Sequence, residues 1–208
     1  MSLSSCRLSS FIVAALYVLG FVNPSIPTRA ETHEHNSLTG QLLIASPLMT
    51  SPAFSGTVIV IVRDEKEGAM GVVINRPIGD RPLASLLQAS GEKVTADLGN
   101  VRVYSGGPVE PGVGFVIHTN DYQGRPTIRI DEKIALTSSP DILRDIGKHH
   151  GPQKSRIAFG YAGWGPGQLA AELEQGFWFT TPEDPSLVFD ENPDAVWEQA
   201  MKRRTQDL

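Results

Sequence analysis

GAMGVVINRP, residues 68–77, is an apolar strand that begins with glycines and stops at Asn75-Arg76-Pro77. The run before it, TVIVIVR at 57–63, is β-branched and apolar at successive positions, which predicts a central strand buried on both faces. The charged segment DEKEG at 64–68 is short enough to join the two strands as an antiparallel hairpin. This hairpin is the expected centre of the sheet.

Further elements extend in both directions from the hairpin. Apolar runs bounded by turn residues predict strands at 42–45, 101–104, 113–118, 127–130 and 156–161. Helical spacing and proline starts predict helices at 83–89, from 140 to 147 or 151, from 166 to 176, and from 193 onwards. The elements lack a βαβ rhythm. The predicted fold class is therefore α+β. We expect a single domain with a mixed, mainly antiparallel sheet flanked by helices, and a barrel-like curvature of this sheet is one form of the prediction.

The composition narrows the classes of function. The chain has 208 residues and 22.5 kDa, enough for one domain with a substantial core. Hydrophobic residues make up 40% and charged residues 20%, as in globular proteins. A formal charge of −5 and a pI near 5.5 argue against direct nucleic-acid binding, which needs a positive surface to collect phosphates.

The amino terminus has the pattern of a signal peptide. Residues 8–22 carry no charge, and an apolar run of this length suits a signal-peptide core better than a membrane span. Pro24 and Pro27 follow, and Thr28-Arg29-Ala30 places small residues at the positions that signal peptidase reads. We expect residues 1–30 to be a signal peptide cleaved after Ala30, 31–37 a flexible lead-in and 38–208 the folded domain. The mature protein would be periplasmic or secreted, with no membrane contact.

Two alternatives to cleavage stay open: an uncleaved anchor, or a mis-called start codon with a cytoplasmic protein. Cleavage would remove Cys6, the sole cysteine, and with it thiol catalysis and disulfides. It would also expose Glu31-Thr32-His33 as the new terminus. An α-amine, two amide nitrogens and the His33 imidazole can surround square-planar Cu(II) or Ni(II). His33 is therefore a candidate metal ligand if the mature chain begins at Glu31.

Several further blocks occur in a fixed order along the chain. They are LIASP at 43–47, Phe54, GGPV at 106–109, GFVIHT at 114–119, GYAGWGPGQL at 160–169 and Phe177-Trp178. Together with residues 68–77 they resemble the AlgH/YqgE family over about residues 38–197. The resemblance implies that family's fold. Since the family's members are mostly cytoplasmic and lack such an extension, it also gives weight to the start-codon alternative, although cleavage after Ala30 remains the expectation. Some members are described as transcriptional regulators, but this chain has neither the charge nor a helix-turn-helix pattern for direct DNA binding.

The candidate binding residues are polar groups and glycine turns at strand ends. Arg76 is the best single anion contact in the sequence, and the glycine turn before the helix at 166 could present backbone amides to an anion. Each candidate also has a purely structural interpretation. In that interpretation the glycine segment is only a tight turn, Arg76 hydrogen bonds to nearby carbonyl oxygens, and His118 is a hydrogen-bonded part of the scaffold. We expect one shared cleft formed by Asn75, Arg76, His118, Gly163, Trp164 and Gly165.

Motifs for catalysis and for cofactors are not found in the sequence. The glycines at 163, 165 and 167 miss the dinucleotide spacing, no lysine follows as in a P-loop, and neither Gly-x-Ser-x-Gly nor His-Glu-x-x-His occurs. We therefore expect no cofactor and no catalytic residue, and a binding or regulatory role through a small-ligand or anion cleft. Two alternatives remain: a hydrolase-type enzyme that uses the same cleft, and a structural protein that binds a protein partner through exposed Trp164 and Trp178.

Overall fold

The computed structural model describes residues 36–204, which belong to one compact unit, His35–Leu208. These residues form a single α+β domain in which a mainly antiparallel sheet curls into a half-barrel. The strands are β1 (Gln41–Ala45), β2 (Val58–Glu65), β3 (Gly68–Val73), β4 (Pro77–Pro82), β5 (Asn100–Ser105), β6 (Val109–Thr119), β7 (Thr127–Arg129), β8 (Ile134–Thr137), β9 (Ser155–Trp164) and β10 (Trp178–Pro182). The helices are α1 (Leu83–Ala89), α2 (Asp141–Gly147), α3 (Gln168–Glu174), α4 (Pro185–Val188) and α5 (Pro193–Arg203).

The sheet branches at β9. The strand order is β10-β1-β2-β3-β9-β6-β8-β7, and β5 joins β9 in parallel while β4 pairs with the outer side of β5. One side of β9 pairs with β6. The other side pairs with β5 near Ile157 and with β3 near Ala162. Three strands therefore share β9 as a neighbour, and β5 and β3 pair with successive stretches of the same side of it.

The core lies on both faces of the β1–β3 hairpin region, as the apolar pattern predicted. Leu42 and Val60 pack in one cluster with α4 and α5, whereas Leu43 and Ile61 pack in a second cluster with α3. This division follows from the strand period of two, which turns successive side chains to opposite faces. A third cluster includes Ile142 of α2. The predicted buried central strand and its antiparallel hairpin are confirmed.

Two glycines after β5 allow the backbone to cross β9 at very short distance. Gly107 has φ +149°, and a Cβ built on it would lie 2.2 Å from the carbonyl carbon of Tyr161. A Cβ on Gly106 would lie 2.2 Å from the carbonyl oxygen of Gly160. No side chain fits either position without moving backbone. The Gly106-Gly107-Pro108 segment is thus a close crossing between two chain segments.

Four short elements escaped the sequence prediction: β4, β8, β10 and α4. β4 has proline at both ends and a central glycine, a composition that normally weakens a strand, and the sheet tolerates it because β4 lies at an edge. β8 and α4 have four residues each, too few to show a period. Among residues 36–204, no helix is long and apolar enough to cross a membrane.

Candidate functional site

Asn75 and Arg76 hold the loop between β1 and β2. The Asn75 Oδ1 accepts a hydrogen bond from the Val58 amide at 2.9 Å. The Arg76 guanidinium donates to the carbonyl oxygens of Pro52 and Ser55, both at 2.8 Å. The donors that made Arg76 the leading anion contact are therefore directed at this loop.

His118 is part of the buried scaffold. Its side chain is 0% exposed, with Nδ1 2.8 Å from the Thr119 carbonyl oxygen and Nε2 2.9 Å from the Thr137 hydroxyl oxygen. A carbonyl only accepts, so Nδ1 carries the proton and Nε2 accepts from Thr137. Burial lowers the pKa of His118, which favours the neutral ring. Both ring nitrogens are occupied by protein groups.

Trp164 and Trp178 are buried, so the predicted exposed aromatic surface is wrong. They are 6% and 2% exposed, and both indole N–H groups donate to Oε2 of Glu172, at 2.9 and 2.8 Å. The two rings meet edge to face at 6.0 Å. We call Trp164, Glu172 and Trp178 the indole clamp. The glycine turn is also engaged, because the Gly165 amide donates to Oε1 of Gln168 at 3.1 Å.

The six predicted residues do not surround one concavity. Trp164 pairs with Ala69 near the start of β3, whereas Asn75 and Arg76 follow the opposite end of that strand. His118 pairs with Ser155, at the other end of β9 from Trp164. Gly163 and Trp164 line a cavity of about 650 Å³ whose lining does not include the other predicted side chains. Ligand contact by any of the six residues individually stays a prediction.

A larger cavity, about 870 Å³, opens between β4, β5, the start of β9 and the loop between α4 and α5. We call it the arginine cleft, after Arg156 in its wall. Its lining includes charged groups of both signs, aromatic rings and apolar side chains. The lining residues are Asp80, Asn100, Val101, Arg102, Tyr104, Gln153, Lys154, Ser155, Arg156, Ile157, Phe189, Asp190 and Glu191.

Arg156 is the second residue of β9 and precedes the stretch of this strand that pairs with β5. Its guanidinium donates through Nη1 to the Ile74 carbonyl oxygen and through Nη2 to the Asp190 carbonyl oxygen, the latter at 2.6 Å. Its Cζ lies 4.2 Å from the centre of the Tyr104 ring, a cation–π contact. One side chain thus connects the end of β3, β5 and the loop before α5.

The charge of Arg156 is buried without a carboxylate partner. The residue is 4% exposed, and within residues 36–204 it forms no ion pair and no hydrogen bond from Nε. The nearby Asp190 carboxylate accepts instead from the Asn192 amide and the Gln199 side chain. Desolvation lowers the pKa of Arg156, yet a guanidinium remains charged at neutral pH.

Two further charges at the cleft are available to a ligand. The side chains of Lys154 and Glu191 lie on exposed residues, and neither forms a hydrogen bond or ion pair within the described part of the chain. Arg102 and Asp80 instead pair with each other at 3.2 Å. Within the described residues, four charges of the arginine cleft form no ion pair: the positive Arg156 and Lys154, and the negative Asp190 and Glu191.

Arg156 was missed because it begins a predicted strand and no motif contains it. One signal was available in the sequence. Side chains two residues apart share a strand face, and the positions after Arg156 on its face are Ala158, Gly160 and Ala162. Small, buried residues leave room above this strand face for the long side chain of Arg156. The pattern therefore indicates a buried guanidinium.

The described residues contain no group of three or more His, Cys, Asp or Glu side chains that could hold a metal ion. The candidate ligand His33 and the predicted signal peptide at 1–30 lie outside the described residues. The lining of the cleft carries three basic side chains, three carboxylates, amides and hydroxyls, and the basic side chains are the groups that suit an anion.

Comparison with known proteins identifies clear relatives. Residues 42–208 match the model of a family described as AlgH-like. A UPF0301 protein of Methylococcus capsulatus is 43% identical over 81% of this chain and 92% of its own length. Another, from Rhodospirillum rubrum, is 46% identical over 79% of this chain and 85% of its own. The solution structure of the AlgH protein from Pseudomonas aeruginosa superposes with a TM-score of 0.71, at 39% identity, over 81% of this chain and 89% of that one.

Proposed function

The chain belongs to the AlgH-like family, and from that premise we propose that it binds a small anionic ligand in the arginine cleft. The role is one of binding or regulation, without catalysis. Small-ligand sites are typically clefts of about 300–1,000 Å³ with few well-placed polar groups, and the arginine cleft falls in this range at about 870 Å³.

The observation that carries the proposal is the buried, unpaired charge of Arg156. Burying a cation costs free energy, which two carbonyl oxygens, one aromatic ring and the charge of the nearby Asp190 carboxylate offset only in part, since desolvation still lowers the pKa of Arg156. An anion entering the cleft would supply further negative charge. Because the guanidinium is already fixed by its two hydrogen bonds, little side-chain entropy is lost on binding.

A hydrolase-type reaction in the same cleft has less support. Ser155 lies in the cleft and is the cross-strand partner of His118, the pairing a nucleophile and base would need. However, the His118 nitrogens bond to Thr119 and Thr137. Ser155 therefore has no base available from this histidine, and we favour binding over hydrolysis.

Substitution of Lys154 tests the proposal with inorganic phosphate as the probe. Lys154→Gln removes one of the two unpaired cations, and we expect phosphate affinity to fall about tenfold. The dissociation constant can be followed by NMR titration of the cleft amides. Lys148→Gln, an equal charge change on an exposed lysine that does not line the cleft, should leave it unchanged. Equal affinity in wild type and Lys154→Gln, or no phosphate binding, would contradict the proposal.

Export to the periplasm or beyond is a second part of the proposal. Its support is the uncharged run at 8–22 and the small residues of Thr28-Arg29-Ala30. Expressed with its native leader in a Gram-negative host, the protein should appear in the periplasmic fraction and begin at Glu31. Recovery of the full-length chain from the cytosol would contradict export.

A further inference from the structure

The arginine cleft carries unpaired charges of both signs, and we propose that its ligand is a zwitterion the size of a dipeptide, with a carboxylate and an ammonium group. The carboxylate binds at Arg156 and Lys154, and the ammonium at Glu191. This inference rests on the proposed function, because it specifies the ligand of the same cleft.

Glu191 is placed next to the buried cation. The Asp190 carbonyl oxygen is 2.6 Å from Nη2 of Arg156, so Glu191 begins one residue from the guanidinium. Of the other two carboxylates of the cleft, Asp80 pairs with Arg102, whereas Asp190 forms no ion pair among the described residues but accepts hydrogen bonds from Asn192 and Gln199 through its two oxygens. Glu191 remains unpaired although a cation is nearby. It is therefore the carboxylate that a ligand would meet.

The sign of Glu191 determines which anions suit the cleft. An anion held by Arg156 shares the cleft with the Glu191 carboxylate, and because like charges repel, a dianion is disfavoured more strongly than a monoanion. A ligand that carries an ammonium beside its carboxylate converts this repulsion into attraction. The Glu191 carboxylate repels simple dianions and attracts the ammonium group of a zwitterion. Specific sites commonly combine such a repulsive element with an attractive one.

The dimensions of the cleft fit a dipeptide. An extended dipeptide spans at most about 7 Å. Its amino and carboxyl termini can therefore contact opposite charges that lie on neighbouring parts of the cleft wall. Val101, Ile157 and Phe189 supply apolar surface in the same cavity for the atoms between the termini. The volume of about 870 Å³ also leaves room for side chains.

Three matched probes separate the contributions of the two termini. Glycylglycine carries both charges, N-acetylglycylglycine only the carboxylate, and glycylglycinamide only the ammonium. We expect glycylglycine to bind about tenfold more tightly than either blocked form, because each block removes one charged contact. Equal binding of glycylglycine and N-acetylglycylglycine would overturn the inference.

Glu191→Gln provides the sharper test because two probes should respond in opposite directions. Glycylglycine should bind about tenfold more weakly, and inorganic phosphate about threefold more tightly, since the same charge attracts one and repels the other. A structural effect of the substitution would move both probes the same way. The matched control is Glu198→Gln on the exposed face of α5, which should change neither. Parallel shifts, or no shift, in Glu191→Gln would overturn the zwitterion assignment.

The outcomes also distinguish this inference from the proposed function. If Lys154→Gln weakens phosphate binding but Glu191→Gln leaves glycylglycine unchanged, the cleft binds anions and only the zwitterion assignment fails. If no probe binds and Lys154→Gln has no effect, the proposed function fails, and the inference fails with it.

Discussion

Gly107→Ala should prevent folding or lower the free energy of unfolding by more than about 4 kcal/mol. The added Cβ would lie 2.2 Å from the Tyr161 carbonyl carbon and 2.3 Å from its oxygen. Both atoms belong to the backbone of β9, which hydrogen bonds to β3, β5 and β6 fix in place. The φ of +149° adds strain, because an L side chain rarely adopts it.

Gly112→Ala is the matched control for the crossing. It lies in β6, has no atom within 4 Å of a built Cβ and does not have a positive φ. We expect a change within about 0.5 kcal/mol, measured by urea denaturation monitored by circular dichroism. A wild-type midpoint for Gly107→Ala would show that the crossing can relax, and would contradict the prediction.

Glu172→Ala should lower the free energy of unfolding by about 3 kcal/mol, since two buried indole N–H groups lose at once the acceptor that they share. Glu172→Gln keeps one oxygen and should cost less. The tryptophan emission maximum should shift to longer wavelength in Glu172→Ala as water reaches the rings. Unfolding is measured by urea denaturation, as above.

Glu174→Ala, at an exposed position of α3, controls for the loss of a carboxylate from the same helix. It should change stability by less than about 0.5 kcal/mol and leave the emission spectrum unaltered. If Glu172→Ala and Glu174→Ala prove equally mild, the indole clamp does not stabilise the fold.

The secondary-structure elements that could be predicted are those that a short stretch of sequence specifies by itself. The β2–β3 hairpin has a short charged turn between apolar runs, and α1 was placed at its observed bounds, Leu83–Ala89, from helical spacing. Elements that depend on tertiary partners were missed. β4 is the clearest, since its prolines and glycine form a strand only because β5 offers a ladder beside it.

The candidate site depends on contacts between residues distant in sequence, which spacing alone cannot show. Arg76 and Arg156 are both arginines beside apolar strands. Arg76 turns to a loop about 20 residues away, whereas Arg156 reaches Ile74, 82 residues earlier, and Asp190, 34 residues later. These long-range contacts place Arg156 in the wall of the cleft, and the local sequence does not show them. His118 and Trp164 were likewise predicted to face a ligand, but His118 bonds to Thr137 and Trp164 to Glu172.

The branching of the sheet at β9 affects how the chain folds during synthesis. Ribosomes produce β3, β5 and β6 before β9, their common neighbour, which spans residues 155–164 of 208. Until β9 emerges, these three strands lack the partner that joins them, and long-range pairing of this kind is intrinsically slow. The complete sheet therefore cannot assemble until most of the chain has been made. For a protein that is exported as we propose, that delay would favour passage through a membrane channel before the sheet is complete.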